Sequence, residues 1–338
     1  MVLRFSRFLA IAISIALGAF PGQLAARTAS SLMHAYQYKV TTLTYKGEQL
    51  FFPEAINDSD QVVGTILFDG GACAYYSQGS FSMFGAGYLC DAPSINDAGI
   101  AVGATEQGNG NQDPVQGMIY GDGLNEDISG PSAFGFINDE DVIAGVQPNG
   151  NNGIYDLKTG TWTNVADPKT GCADIYLHII TDSGIALGGT SCGVPNNSFV
   201  AISKNRYHYV TPPNNLGAAT FNDAETAVLQ SAQCPADAFL WKHPWSNAPL
   251  DLGTIPGDSG DCYRASGIST SDEVIGWTTG GYNWVWDSVN GMRDLAKLAN
   301  LSGLTAVQVT AISKHGHILA QAKTSGGWVW LILDPLRS

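Results

Sequence analysis

Charge is scarce in this chain: Asp, Glu, Lys and Arg make up 14% of 338 residues, with 16 basic side chains against 30 acidic ones. The resulting net charge of −14 rules against a protein that grips phosphate backbones, since a polyanion is repelled and no counterions are released. The N-terminal apolar run, residues 8–20, has 13 residues where a membrane-spanning helix needs about 20. None of the six cysteines stands in a C-x-x-C pair, and no histidine falls in H-E-x-x-H, so metal sites and redox motifs have no signature here. The Asp-rich stretches lack the D-x-[DN]-x-[DN]-G loop with its distal Glu that calcium would need. Gly108-Asn109-Gly110-Asn111 has no βαβ unit around it and reads as a loop. Helical periodicity is missing outside residues 8–20 and a short stretch at 294–301. Neither cofactor nor metal is expected.

What is abundant points elsewhere. The chain holds 40 Gly, 13 Phe, 13 Tyr and 8 Trp, a composition of exported all-β proteins and not of disordered ones. Arg4 and Arg7 precede the apolar run, and small residues at Ala25 and Ala26 follow it, which is the layout of a secretory signal peptide. Cleavage after Ala26 removes those two Arg and no acid, so the net charge of −14 becomes −16. Residues 1–26 are therefore read as a signal peptide, 27–37 as a short N-terminal segment and 38–338 as one domain, secreted to the periplasm or the exterior and not inserted in a membrane.

The organising signal is a repeat. Large apolar anchors at Ile56, Ile95, Ile137, Ile180, Phe221, Ile268 and Ile312 are each followed eight positions later by Gly64, Gly103, Gly145, Gly188, Leu229, Gly276 and Ala320. The units are 39 to 47 residues apart, yet the internal spacing never slips. Between anchor and partner lies a turn: Asn57-Asp58, Asn96-Asp97, Asn138-Asp139, Thr181-Asp182, Asn222-Asp223, then Ser269-Thr270 and Ser313-Lys314. Asn and Asp suit such turns because they tolerate left-handed backbone and bond their own main chain. A third strand follows in every unit, at 72–76, 117–120, 153–155, 198–203, 238–241, 284–286 and 328–333, and a weaker fourth at 162–165, 207–210 and 250–252.

Four short antiparallel strands per unit is the signature of a β-propeller blade, so seven units predict a seven-bladed β-propeller. The small eighth-position residue is read as relieving crowding between neighbouring blades, with third-strand aromatics filling the wider outer space. The seventh unit lacks its fourth strand. The orphan strand at 38–45 is expected to supply it, antiparallel to 328–333, closing the ring and covering an edge. Asp237-Ala238-Phe239-Leu240-Trp241, Leu250-Asp251-Leu252-Gly253-Thr254 and the recurrent Ile-Asn-Asp-x-Gly and Val-Val-Gly segments resemble the HAF-repeat family of bacterial extracellular proteins. That resemblance implies export and a propeller-like repeat, and no reaction.

Candidate chemistry is thin. Gly189-Thr190-Ser191-Cys192-Gly193 and Gly257-Asp258-Ser259-Gly260 look like serine-hydrolase motifs, but neither leads from a strand into a helix or carries a matching histidine. Both read as loops. His315 and His317 alternate across a hairpin and are expected to face solvent. Residues two and four places before the anchors, Glu54, Asp91, Tyr176, His178, Arg264 and Gln308, are expected at one channel mouth, where propellers usually assemble sites. His243, Trp245 and Tyr263 fall in the longest inter-anchor segment, where Trp245 could stack on a sugar.

In a blade, the turn entering the first strand and the turn between second and third strands share a face. Cys73, Cys90, Cys172, Cys192, Cys234 and Cys262 should therefore gather on one face and pair as Cys73–Cys90, Cys172–Cys192 and Cys234–Cys262. The three functional expectations are a monomeric binding protein recognising an extracellular glycan or protein through that face; a polysaccharide hydrolase or lyase using Glu54, Asp91, His178 and Arg264; and a structural envelope component. The first is preferred.

Overall fold

The computed structural model describes residues 37–336 apart from 44–49, 68–71, 87–88, 107–114, 122, 129–132, 166–174, 191–194, 196, 204–205, 232, 235–236, 259–260, 300 and 302–303. The signal segment 1–26 and the expected Cys172–Cys192 pair lie outside the described residues. The described chain folds into seven four-stranded antiparallel sheets, with one turn of α-helix at Leu295–Leu298. Blades 1 to 6 span residues 50–86, 89–128, 133–164, 175–210, 217–251 and 263–294, each built in chain order from the inside outward. Blade 7 takes three strands from 305–336 and its fourth from Gln37–Leu43. That strand runs antiparallel to Gly327–Leu336, from Gln37 opposite Leu336 to Leu43 opposite Trp330. Ring closure by the N-terminal strand is as the sequence predicts.

Two adjacent apolar residues open each second strand, and they explain the packing. Successive side chains in a strand point to opposite faces, so a sheet buried on both faces reads as a continuous apolar pair. Val62 packs at the seam with blade 7 and Val63 at the seam with blade 2. Ala101 and Val102, Ala186 and Leu187, Ala227 and Val228, Val274 and Ile275, and Ile318 and Leu319 divide in the same way. Each of the seven seams thus owns one apolar cluster. Third-strand aromatics fill them: Trp284 is fully buried, and Phe199, Trp241 and Trp286 are 2 to 5% exposed.

The small residue at the eighth position has a cause other than the expected inter-blade crowding. The register slips in the first strand of every blade, between Pro53 and Ala55 in blade 1 and between Ala265 and Gly267 in blade 6. Gly64 lies opposite Pro53, and Gly276 opposite Ala265, so the small residue faces the bulge of its own blade. A Cβ on Gly64 would strike the Phe52 carbonyl oxygen, and one on Gly276 the Arg264 carbonyl oxygen and the Trp284 ring. The bulge pushes backbone into the space a side chain would occupy.

Two of the expected disulfides are present, Cys73–Cys90 and Cys234–Cys262, each with Cα atoms 5.2 Å apart. Both lie on the face carrying the second-to-third-strand turns, called the cysteine face below. The opposite, or turn, face carries the Asn-Asp turns together with the third-to-fourth-strand turns.

Candidate functional site

The turn face is a closed hydrogen-bond circuit. In each Asn-Asp turn the Asn side chain does two jobs. Its Oδ1 accepts amides of its own turn, as Asn57 does from Ser59 and Gln61, both at 3.0 Å. Its Nδ2 donates to the next blade: Asn57 to the Asn96 carbonyl at 2.9 Å, Asn96 to Asn138 at 3.1 Å, Asn138 to Thr181 at 2.8 Å and Asn222 to Ser269 at 2.8 Å. Thr181, Ser269 and Ser313 keep the first job through their hydroxyls, which accept the Ile185, Glu273 and His317 amides. Having no amide nitrogen, they lose the second. This is why those turns hold their length while losing Asn.

The Asp residues form a second circuit. The amides of Asp58, Asp97, Asp139 and Asp182 donate to the carboxylates of Asp97, Asp139, Asp182 and Asp223 at 2.8 to 3.0 Å, and the His315 amide donates to Asp58 at 2.8 Å. Five carboxylates around one axis would repel strongly. Lys314, which takes the Asp position in blade 7, crosses to blades 3, 4 and 5 and places Nζ 2.5, 2.8 and 3.0 Å from Asp139, Asp182 and Asp223. The expectation that His315 and His317 simply face solvent is corrected here. His315 is exposed but its Nδ1 pairs with Asp58, and the half-buried His317 places Nδ1 2.7 Å from Asp60.

Asp97 lies beyond the reach of Lys314 and shows the consequence. Burial raises its carboxyl pKa to about 6, with the neighbouring Asp58 and Asp139 charges adding to the rise. A value raised above the unfolded 3.8 means the native state binds this proton more tightly. Stability is therefore lost as pH climbs from about 4 through about 6. Asp97→Asn retains the Oδ1 acceptor for the Asp58 amide and removes the charge. It is expected to stabilise the protein at pH 7 by about 1–2 kcal/mol after solvent screening, and to be neutral at pH 4. Melting curves at the two pH values check this; a stabilisation equal at both would refute the ionic cause.

The axial channel has a volume of about 260 Å³ and is lined by the first strands of the blades, with Glu54 and His178 on its wall. The Thr65 hydroxyl lies 2.9 Å from Glu54 Oε1 and 2.6 Å from the Cys90 carbonyl oxygen, and can donate to one at a time. The His178 ring is open to channel water, yet the surrounding blades exclude enough solvent to lower its pKa, leaving it neutral at pH 7. Two of the other expected channel-mouth residues, Arg264 and Gln308, are engaged elsewhere. Arg264 turns to the Ser231 carbonyl at 2.6 Å and lies over the Cys234–Cys262 disulfide, 3.9 Å from both sulfurs. The exposed Gln308 accepts from Gln321 at 2.9 Å. Asp91 and Tyr176 occupy first strands opposite Ala104 and Gly189, and their side chains lie outside the description.

The expected loop residues also move. Trp245 is 6% exposed, packs on Phe199 and donates from Nε1 to the Glu225 carbonyl at 3.1 Å. Tyr263 is 1% exposed, donates to Asp258 at 2.6 Å, and is pushed to a pKa of about 12 by burial and that carboxylate. Neither ring is free to stack on a sugar. His243 and Trp245 belong to a third-to-fourth-strand turn and sit against Glu225, on the turn face and not on the cysteine face.

The aromatics that the cysteine face does expose were not singled out by sequence. Trp277 is the penultimate residue of the second strand of blade 6, Tyr282 lies in the following turn, and Trp328 is the second residue of the third strand of blade 7; they are 37, 44 and 52% exposed. Asn283 fastens the two blades by donating to the Val307 carbonyl and accepting the Val309 amide. Asp261 supports the Tyr282 turn, 3.3 Å from the Thr278 hydroxyl and 3.4 Å from that of Thr279. The available signal was position: these rings flank the second-to-third-strand turns of adjacent units.

With this geometry in hand, no protein-family model and no curated protein matches the chain. Solved β-propellers share its architecture. The propeller domain of the Trilobed protease from Pyrococcus furiosus, described as having an open velcro topology, superposes with a TM-score of 0.59 at 9% identity, covering 87% of this chain and 97% of that one. The propeller domain of Cps50 (Swd1) from Myceliophteria thermophila gives 0.54 at 9% identity, over 87% and 99%. YCF48 bound to a D1 peptide gives 0.54 at 10% identity, over 89% and 96%. At such identities the likeness is one of fold alone. No helix among the described residues is long and apolar enough to cross a membrane.

Proposed function

We propose that the chain is an exported, monomeric binding protein that recognises an extracellular glycan or protein through its cysteine face. The observation that carries this reading is the contrast between the two faces. On the turn face, polar side chains bond to one another across the seams; on the cysteine face, Trp277, Tyr282 and Trp328 stand 37 to 52% exposed on neighbouring blades. Exposed aromatics with a polar rim are what sugar rings and protein hot spots use, and stapled loops lose less entropy on binding. The Cys73–Cys90 and Cys234–Cys262 staples hold this face. Export is supported by the N-terminal layout, by disulfides that persist in oxidising compartments, and by the HAF-repeat resemblance. A propeller of similar fold, YCF48, is described as bound to a peptide, in keeping with a protein partner.

The test is a glycan panel with turnover monitored, alongside pull-down from the extracellular fraction, using wild type, Trp277→Ala and Trp328→Ala. Each variant should weaken binding at least about tenfold, with Tm within about 2 °C of wild type, since these rings are not core. Variants that bind like wild type, while changes on the turn face abolish binding, would place recognition on the wrong face.

A further inference from the structure

Where the first and last blades meet, three side chains from distant parts of the chain converge outside the channel. Asp60 ends the blade 1 turn in left-handed backbone, with φ 57°. His317 leads into the second strand of blade 7, and Asp334 lies in its third strand, opposite Lys39 of the N-terminal strand. His317 Nδ1 lies 2.7 Å from Asp60 Oδ1 and 3.2 Å from Asp334 Oδ1, and one ligand atom from each residue falls within 4.8 Å of the others.

We propose that Asp60, His317 and Asp334 form a binding site for a divalent transition metal of the zinc class, clamping blade 1 to blade 7. Donor atoms around such an ion, at about 2.0–2.2 Å from it, stand about 3–3.5 Å apart, close to the 2.7 and 3.2 Å that separate His317 Nδ1 from the two carboxylate oxygens. The donor set is one imidazole nitrogen and two carboxylate oxygens, which favours zinc over calcium or magnesium. A second observation points the same way. Asp334 Oδ1 is shut off from solvent and accepts no hydrogen bond, with the His317 ring 3.2 Å away as a charge neighbour, while Oδ2 faces the exposed Lys39 ammonium at 3.5 Å. A buried carboxylate oxygen left so is costly, and a cation satisfies it. Access is open on one side: Asp60 is 40% exposed, against 21% for His317 and 16% for Asp334. Three protein donors leave one tetrahedral position for water from that side. The site is distinct from the Lys314 cluster and independent of the proposed partner surface.

The experiment uses the purified, oxidised protein stripped with EDTA and titrated with zinc chloride by calorimetry, with cobalt(II) added in parallel as a spectroscopic probe. Wild type should take up one equivalent of zinc, show cobalt d–d absorption bands, and melt several degrees higher with zinc but not with calcium or magnesium. His317→Ala and the near-isosteric Asp334→Asn should weaken zinc binding at least tenfold and abolish the thermal shift. The intensity of the cobalt bands in wild type reports a four-coordinate site without any variant. Absence of zinc uptake by wild type at millimolar zinc overturns the proposal. So does uptake that both variants leave unchanged, which would assign the ion to another cluster.

Discussion

Deletion of residues 37–43 is expected to abolish cooperative folding. The strand pairs along its whole length with Gly327–Leu336, so its loss leaves the ten-residue outer strand of blade 7 as an open edge, the template on which other chains pair. Tyr38 and Leu43, 5% and 4% exposed, leave two different seam clusters at about 1.5–3 kcal/mol each. The Tyr38 hydroxyl also withdraws its 2.8 Å hydrogen bond from the buried Glu273 carboxylate. Together with the lost backbone ladder, the cost is comparable to the roughly 5–15 kcal/mol that holds an ordinary domain. Size-exclusion chromatography should show oligomers, and the thermal transition should broaden or vanish. A monomer melting within a few degrees of wild type would show that the ring holds without its closing strand.

Lys314→Ala carries the second large effect. Removing the ammonium leaves Asp139, Asp182 and Asp223 facing one another with nothing between them. Breaking a buried ion pair costs about 3–5 kcal/mol and an exposed one about 0–1. With Lys314 26% exposed, about 2–3 kcal/mol is expected at pH 7, roughly 3–5 °C in Tm for a domain of this size. The pH dependence identifies the cause. The three carboxylates raise the Lys314 pKa although burial opposes them, so its stabilisation is fully present below the ordinary lysine value and is lost only in strong alkali. On the acid side, burial outweighs the lysine and keeps the Asp223 pKa above the usual carboxylate value, so this group protonates early. The gap between variant and wild type should therefore shrink as pH falls toward 4, and urea denaturation at pH 7 and pH 4 measures it. A gap of the same size at both values would mean that packing, not charge, is lost.

The fold was legible because its signals are covalent spacings: an anchor, a turn of constant length and a small residue eight places on recur whatever the loops do. The missing fourth strand of the seventh unit likewise announced the N-terminal strand. The Cys73–Cys90 and Cys234–Cys262 pairs were legible because alternating strand direction places those cysteines on one face. The functional residues were harder for a physical reason. A loop tryptophan reads the same whether its ring is exposed or tucked under its own loop, and Trp245 took the second course by packing on Phe199. Arg264 was read as a channel charge, but its reach to the Ser231 carbonyl depends on a loop whose path no periodicity describes. Lys314 carried a usable signal. It is a cation at the repeat position where five other units hold Asp58, Asp97, Asp139, Asp182 and Asp223, and one cation set among five acids in a ring is a charge-balance pattern.

The reach of Lys314 across the axis also sets the charge met inside the ring. Starting from blade 7 and ending among carboxylates of blades 3, 4 and 5, it ties blades across the axis together at the turn face. Lys314 and Asp223 share the channel lining with Glu54 and His178. A solute beside Glu54 or His178 therefore sits in the field of that ammonium and its carboxylates, and its own charge weighs on how firmly it is held there.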